Sequence, residues 1–196
     1  MNKRRFLQSL GASAAAVMAS AQAAPKTASK AGPALLTLTG AITRYNRDAL
    51  DPALDQLMAK QKVAFDRAYT FDYDALGTLP QASIRPVIEY DEKAHTLSGP
   101  LLADVIRAAG GAVGEKTSVL LRAIDGYAVT VGADDLARYR FMVATHLDGK
   151  PMPLGGLGPL WAVYDADRFP EMAAKPVRER FGLCPWALYH VNLSGA

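Results

Sequence analysis

Cysteine is almost missing from this sequence: Cys184 stands alone among 196 residues. No internal disulfide can form, so packing, hydrogen bonding and charge must hold the fold. Beside Pro185 and Trp186 this thiol is expected to be buried and inert. Histidine is scarce too, with His95, His146 and His190 far apart and no H-x₃-H or C-x₂-C pair, which leaves a sequence-local metal site unsupported. There is no G-x-S-x-G elbow, and Ser98-Gly99 opens a helix without a partner pattern, so a serine hydrolase has nothing to stand on. No internal repeat occurs. No stretch interleaves Lys and Arg with aromatics as nucleic-acid binding requires.

The one apolar run near the start, Phe6 to Met18, is too short to span a bilayer. It follows Lys3, Arg4 and Arg5 and closes on Ala21-Gln22-Ala23, the pattern of an export signal cleaved near Ala23. Asn2 to Gln8 resembles the bacterial twin-arginine signal with Lys3 in place of its first arginine, and the ordinary export route stays open. Three of the 22 basic residues and none of the 19 acids lie in this segment, so the remainder carries 19 of each sign. The isoelectric point near 9.0 therefore belongs mostly to the address. Residues 1–23 are expected to be the signal and residues 24–33, small, polar and proline-bearing, a flexible leader. Residues 34–196 are expected to form one domain, periplasmic or otherwise exported, with no transmembrane segment in the mature chain.

Within that domain the patterns alternate irregularly. Residues 34–42, 63–71, 82–90, 118–124, 127–131, 141–147, 159–165 and 186–193 carry β-type runs, with Pro86 confining its run to a sheet edge. Asp51-Pro52 signals a helix start, residues 72–80 a short helix, and "PLLADVIRAAGG" the clearest helix, closed by Gly110-Gly111. Asp125-Gly126 and Asp148-Gly149 are hairpin turns. Without a regular βαβ rhythm, this is an α+β fold with a single mixed sheet.

Two features hint at chemistry. "GGLG" at 155–158 has three glycines in four positions, yet it lacks dinucleotide-loop spacing and leads into a strand, so a tight turn is favoured over phosphate binding. Arg122 and Tyr127 flank the Asp125-Gly126 turn, where an arginine in an apolar strand is either a ligand contact or a wet-face residue. The pairs Asp134-Asp135 and Asp165/Asp167 sit beside turns and suit capping.

Taken in order, "HTLSGPLLADVIRAAGG", "AIDGYAVTVGADDL", "HLDGKPMPLGGLGPLWAVYD" and "WALYHVNL" resemble the sulfite-oxidase-like molybdopterin-binding domain, over residues 34–196. The resemblance implies a mixed α+β domain and exported oxidoreductases with a molybdenum–pterin cofactor. It also implies a thiolate ligand a dozen or so residues before Gly99. Here "IRPVIEYDEKAHTL" holds Val87 near that place and no cysteine. Where those enzymes usually carry an arginine after the G-x-P step, this chain has Trp161, and Gly156 stands where an asparagine is expected. The expectation is a domain that lacks the usual molybdenum ligand and acts as a small-molecule or protein-binding module, with no cofactor, metal or nucleic acid bound. Arg122, Tyr127, His146, Gly156, Gly158 and Trp161 are its candidate pocket lining. Alternatives are an active molybdenum–pterin oxidoreductase with non-cysteine ligation, or an accessory subunit of a periplasmic redox or sensor system.

Overall fold

Strand β1, Leu36–Gly40, alternates Leu and Thr, and the two residue types part company on folding. Leu36 and Leu38 face the core while Thr37 and Thr39 are buried under the opposite face of the sheet. These assignments come from a computed structural model that describes residues 32–195. The expected signal, and all of the leader except Gly32 and Pro33, lie outside the described residues. No helix among the described residues is long and apolar enough to cross a membrane.

The remaining strands are β2 (Tyr69–Phe71), β3 (Gln81–Ile84), β4 (Leu97–Pro100), β5 (Ser118–Ala123), β6 (Ala128–Gly132), β7 (Met142–Ala144), β8 (His146–Leu147), β9 (Lys150–Pro151), β10 (Trp161–Val163) and β11 (Leu188–Ser194). They make a five-stranded sheet in the order β2-β1-β11-β5-β6, a four-stranded sheet β3-β4-β8-β9 and the pair β10-β7. The β1–β11 pair is parallel and the others antiparallel, so the fold is α+β with mixed pairing, divided among three sheets instead of gathered in one. The helices are α1 (Gln56–Lys60), α2 (Tyr73–Gly77), α3 (Leu102–Ala108), α4 (Ala133–Tyr139) and α5 (Pro170–Ala173).

Several elements are shorter than the sequence suggests, each for a local reason. Residues 141–147 are not one strand. Thr145 breaks the run, and its backbone N–H bonds to Ser98 O at 2.9 Å, so the chain leaves the β10 pair and joins β4. Residues 63–71 form a strand only at their end; before it the chain meets the 47–50 segment through isolated contacts, Leu50 N donating to Phe65 O at 3.1 Å and Arg47 bridging Ala68. The Asn46 side chain covers the free edge of β2, accepting from Thr70 N at 2.6 Å and donating to Thr70 O at 2.9 Å. Asp51 caps a turn over residues 52–54 through Ala53 N at 2.8 Å, and α1 begins only at Gln56. β3 does lie on an edge and stops before Arg85-Pro86.

The core lies between the inner face of the five-stranded sheet, α3 and the β10-β7 pair. Leu102, Val105 and Ile106 of α3 are buried, contributing about 1.5–3 kcal/mol each. β4 passes so close to β7 that a Cβ at Gly99 would overlap Val143 O. At the centre is Trp161, with no exposed surface; its Nε1–H donates to Cys184 O at 2.9 Å, and its ring lies 5.9 Å from that of Phe181. The outer face of the five-stranded sheet is polar. A satellite cluster of Met58, Val63 and Tyr189 with Leu50, Phe65 and Ile124 packs separately, and Gln61 beside α1 donates to Ala123 O and Ile124 O.

His190 on that outer face is buried, with Nε2 2.9 Å from Thr39 Oγ1, and Nδ1 has no partner among the described residues. Burial first, then the guanidinium charges of Arg122 and Arg47, hold its pKa down at about 4. His95 behaves oppositely. Asp148 at 2.7 Å, then Asp91, raise its pKa above the ordinary 6.5.

Trp161→Ala should cost about 3–5 kcal/mol in denaturant unfolding, because it empties the centre of the core and strands Cys184 O; a loss under about 1 kcal/mol would contradict this packing. The two histidines should shape stability against pH in opposite senses. Protonation of unfolded His190 below its ordinary 6.5 favours unfolding, so stability should fall as pH drops from about 6.5 towards 4, by up to about 3 kcal/mol, and His190→Gln should flatten that limb. The His95 contribution is complete below 6.5 and lost as pH rises through its elevated pKa, so His95→Gln should remove a decline on the alkaline side. Melting temperatures across pH 4–9 check both.

Candidate functional site

Three backbone hydrogen bonds stitch the 154–162 segment to the chain entering β11. Ala187 N donates to Leu157 O at 3.0 Å, Leu188 N to Leu160 O at 2.9 Å, and Ala162 N to Pro185 O at 3.1 Å. To meet them Ala187 takes a left-handed backbone, φ 48°. Trp186 is thereby fixed beside the glycine loop.

That loop closes on itself. Gly155 has φ 96°, Leu154 bridges Gly158, and Gly156 N is taken by Pro153 O at 3.3 Å. A Cβ at Gly158 would overlap Met152 O, so this glycine serves the turn's close approach.

The loop forms one wall of a cleft of about 620 Å³, completed by Tyr90, Ile124, Asp125, Trp186 and Ala187. A second chamber of about 230 Å³ shares Tyr90, Asp125 and Trp186 and adds Glu89, Tyr127, Arg178 and Phe181. A third, of about 360 Å³, shares Ile124 and Leu154 with the first and reaches the Arg47–Asp55 ion pair at 2.6 Å. Tyr90, Tyr127, Leu154, Leu54 and Leu57, at 40–82% exposure, all border these chambers and give them large apolar side chains open to solvent. Two carboxylates, Glu89 and Asp125, face the smaller chamber against one cation, the largely exposed Arg178. Although half of Tyr90 is exposed, the partial burial of its phenol pushes its pKa upward, with the Glu89 charge adding to it, so Tyr90 stays protonated.

The candidate residues chosen from sequence do not converge. Tyr127 lines the small chamber, its hydroxyl donating to Gly182 O at 2.6 Å, and Gly156 lines the large one. Gly158 closes the loop against Met152 and is not among the residues lining the large cleft. Trp161 is beneath the cleft, wholly buried with its ring 6.3 Å from that of Tyr90, and lines no chamber. Arg122 pairs in register with His190 on the outer face of the sheet, away from the cleft because side chains alternate along β5. His146 belongs to β8, where Tyr73 Oη lies 2.9 Å from Nε2 and Thr145 Oγ1 2.9 Å from Nδ1. The residues sequence reasoning missed are Tyr90, Trp186, Asp125 and Leu154. Only Asp125 carried a signal, through its turn.

Val87 is held by its backbone N–H, which donates to Asp167 Oδ2 at 2.7 Å, and its segment bridges Ala94. Cys184 is buried, and that burial pushes its thiol far above the ordinary range. Among the described residues no three His, Cys, Asp or Glu side chains are grouped to hold a metal ion.

No family model matches the sequence. No curated protein matches it in sequence either. Among solved structures the chain is similar to the sulfane dehydrogenase SoxCD from Paracoccus pantotrophus, with a TM-score of 0.52 at 9% identity. The match covers 81% of this chain and 37% of that one, so this chain spans little more than a third of its neighbour's length. At this identity the likeness is one of fold alone.

Proposed function

We propose that this domain is a binding module built on an oxidoreductase-like scaffold, and that its ligand is a planar, neutral or cationic small molecule held in the Trp186 cleft. The observation that carries the proposal is the cleft's make-up: about 620 Å³ beside Trp186 and Tyr90, with Asp125 at its edge. That volume suits a small organic molecule, and aromatic walls next to carboxylates favour flat cations over anions.

The same chemistry argues against a molybdenum–pterin group. Its metal would need a thiolate, and the single thiol is kept protonated in the core. Its phosphate would need a guanidinium, and Trp161 occupies that position inside the core while Glu89 and Asp125 face the neighbouring chamber. The residues present do not fit the group. An exported protein of this kind would act in the periplasm by capturing its ligand or handing it to a partner.

The two tryptophans make the test direct, since Trp161 is buried and Trp186 borders the cleft. N-methylquinolinium should quench fluorescence saturably in the wild type, and Trp186→Phe should abolish the saturable part. Calorimetry should show about tenfold weaker binding for Trp186→Ala, and naphthalene-2-sulfonate should bind more weakly than the cation. Quenching that survives Trp186→Phe would move the ligand elsewhere. Stoichiometric molybdenum and pterin in protein purified from its native source would instead establish the oxidoreductase reading.

A further inference from the structure

A different cleft carries the opposite charge. It measures about 300 Å³ and lies where the edge strand β3 meets the end of α4 and the residues after β10. Arg138, Arg140 and Arg168 line it, together with Ser83 and a single carboxylate, Asp165. Arg138 is engaged, 2.5 Å from Glu171 and 5.5 Å from the Tyr139 ring centroid. Arg140 and Arg168 are exposed and make no ion pair or side-chain hydrogen bond among the described residues. Like-charged side chains gathered around one hollow repel each other, and an anion placed among them removes that cost.

The backbone adds to the case. Arg140 follows α4 with φ 52°, a left-handed position where glycine is the usual occupant. An arginine there accepts backbone strain and sets its guanidinium at the cleft. The other wall is apolar, formed by Ile84, Leu101 and Phe169. A guanidinium offers paired donors to planar or tetrahedral oxyanions, and the apolar wall suits a hydrocarbon body.

We propose that this cleft is a second binding site, one that takes a small organic oxyanion with its charged head on Arg140 and Arg168 and its apolar body against Ile84, Leu101 and Phe169. Asp165 gives the site a pH response. Burial raises its pKa first and Asp167 raises it further, with Arg168 opposing. The other charged residues around it are Arg85, whose backbone N–H bonds to its carboxylate and lowers its pKa, Arg138, which is paired with Glu171, Arg140 in the cleft wall, and Arg180, which is bound to Asp167 at 2.7 Å. A charged Asp165 repels the ligand and a protonated one does not. Affinity therefore rises as pH falls through the elevated pKa.

Phenyl sulfate is a suitable probe because its charge does not titrate over the range used. Calorimetry in low salt should show phenyl sulfate binding more tightly than inorganic sulfate, and benzyl alcohol not binding. The double variant Arg140→Gln/Arg168→Gln should weaken phenyl sulfate at least tenfold, while Arg67→Gln/Arg107→Gln, on other surfaces, should change it less than twofold. Melting temperatures confirm that both variants fold. Wild-type affinity should increase as pH is lowered from neutrality through the Asp165 pKa, which lies above the ordinary 3.8, and Asp165→Asn should show no such rise. Equal losses in the two double variants would reduce the effect to overall charge and overturn the site. Inorganic sulfate binding as tightly as phenyl sulfate would overturn the organic ligand, and pH-independent wild-type binding would overturn its place beside Asp165. The Trp186 cleft is separate, so its response to N-methylquinolinium should persist in the Arg140/Arg168 variant whatever the outcome.

Discussion

The hydrogen bonds between residues 157–162 and 185–188 are the joint on which this protein depends. They tie the β10-β7 pair to the strand at the centre of the five-stranded sheet, so two separate β systems share one core. The same joint turns Trp161 inward and leaves Trp186 beside the glycine loop. A pair of tryptophans facing each other across a bridge thus does two jobs. One fills the core and the other lines the cleft, and the backbone decides which does which. No covalent cross-link shares the load, since the only cysteine is a buried thiol whose carbonyl receives the Trp161 N–H.

A fold shared with a sulfane dehydrogenase does not transfer that enzyme's chemistry, because chemistry resides in a few side chains and not in the scaffold. Here the positions that the resemblance assigns to metal and phosphate are an aliphatic residue tied through its backbone to Asp167, and an indole with no exposed surface. The cleft that the scaffold does provide is aromatic and edged with carboxylates. Positive charge collects instead around β3 and α4, where three arginines face one aspartate. Charge is therefore divided unevenly between the two hollows, although the chain as a whole, outside its first residues, is close to neutral.

Much of the fold was legible because short-range rules governed it. The Asp125-Gly126 and Asp148-Gly149 turns form as their sequences require, with both residues of the second in left-handed backbone. Leu102, Val105 and Ile106 share the buried face of α3, and Gly110 ends it with φ 78°. Where sequence misjudged extent, a distant partner had intervened. The 47–50 segment meets residues 65–68 through isolated bonds instead of a ladder, and Ser98 captures Thr145 and splits one apolar run between two sheets. Neither event leaves a trace in local periodicity.

The sequence by itself determined the α+β class, most of the strands, α3 and the two Asp-Gly turns, because propensity, glycine placement and apolar spacing act over a few residues; it read Ser98-Gly99 as a helix start, where the structure has β4. It also determined that no cysteine precedes Gly99 and that position 161 is a tryptophan. Only the tertiary structure decided which side chains meet. Arg122 and His146 were singled out together with Tyr127, yet alternation along β5 sends Arg122 to the opposite face and β8 carries His146 into another sheet. Tyr90, Trp186 and Asp125 come together although 35 or more residues separate each from the next. A cleft is made by chain segments far apart in sequence, and that proximity exists only once the core has closed.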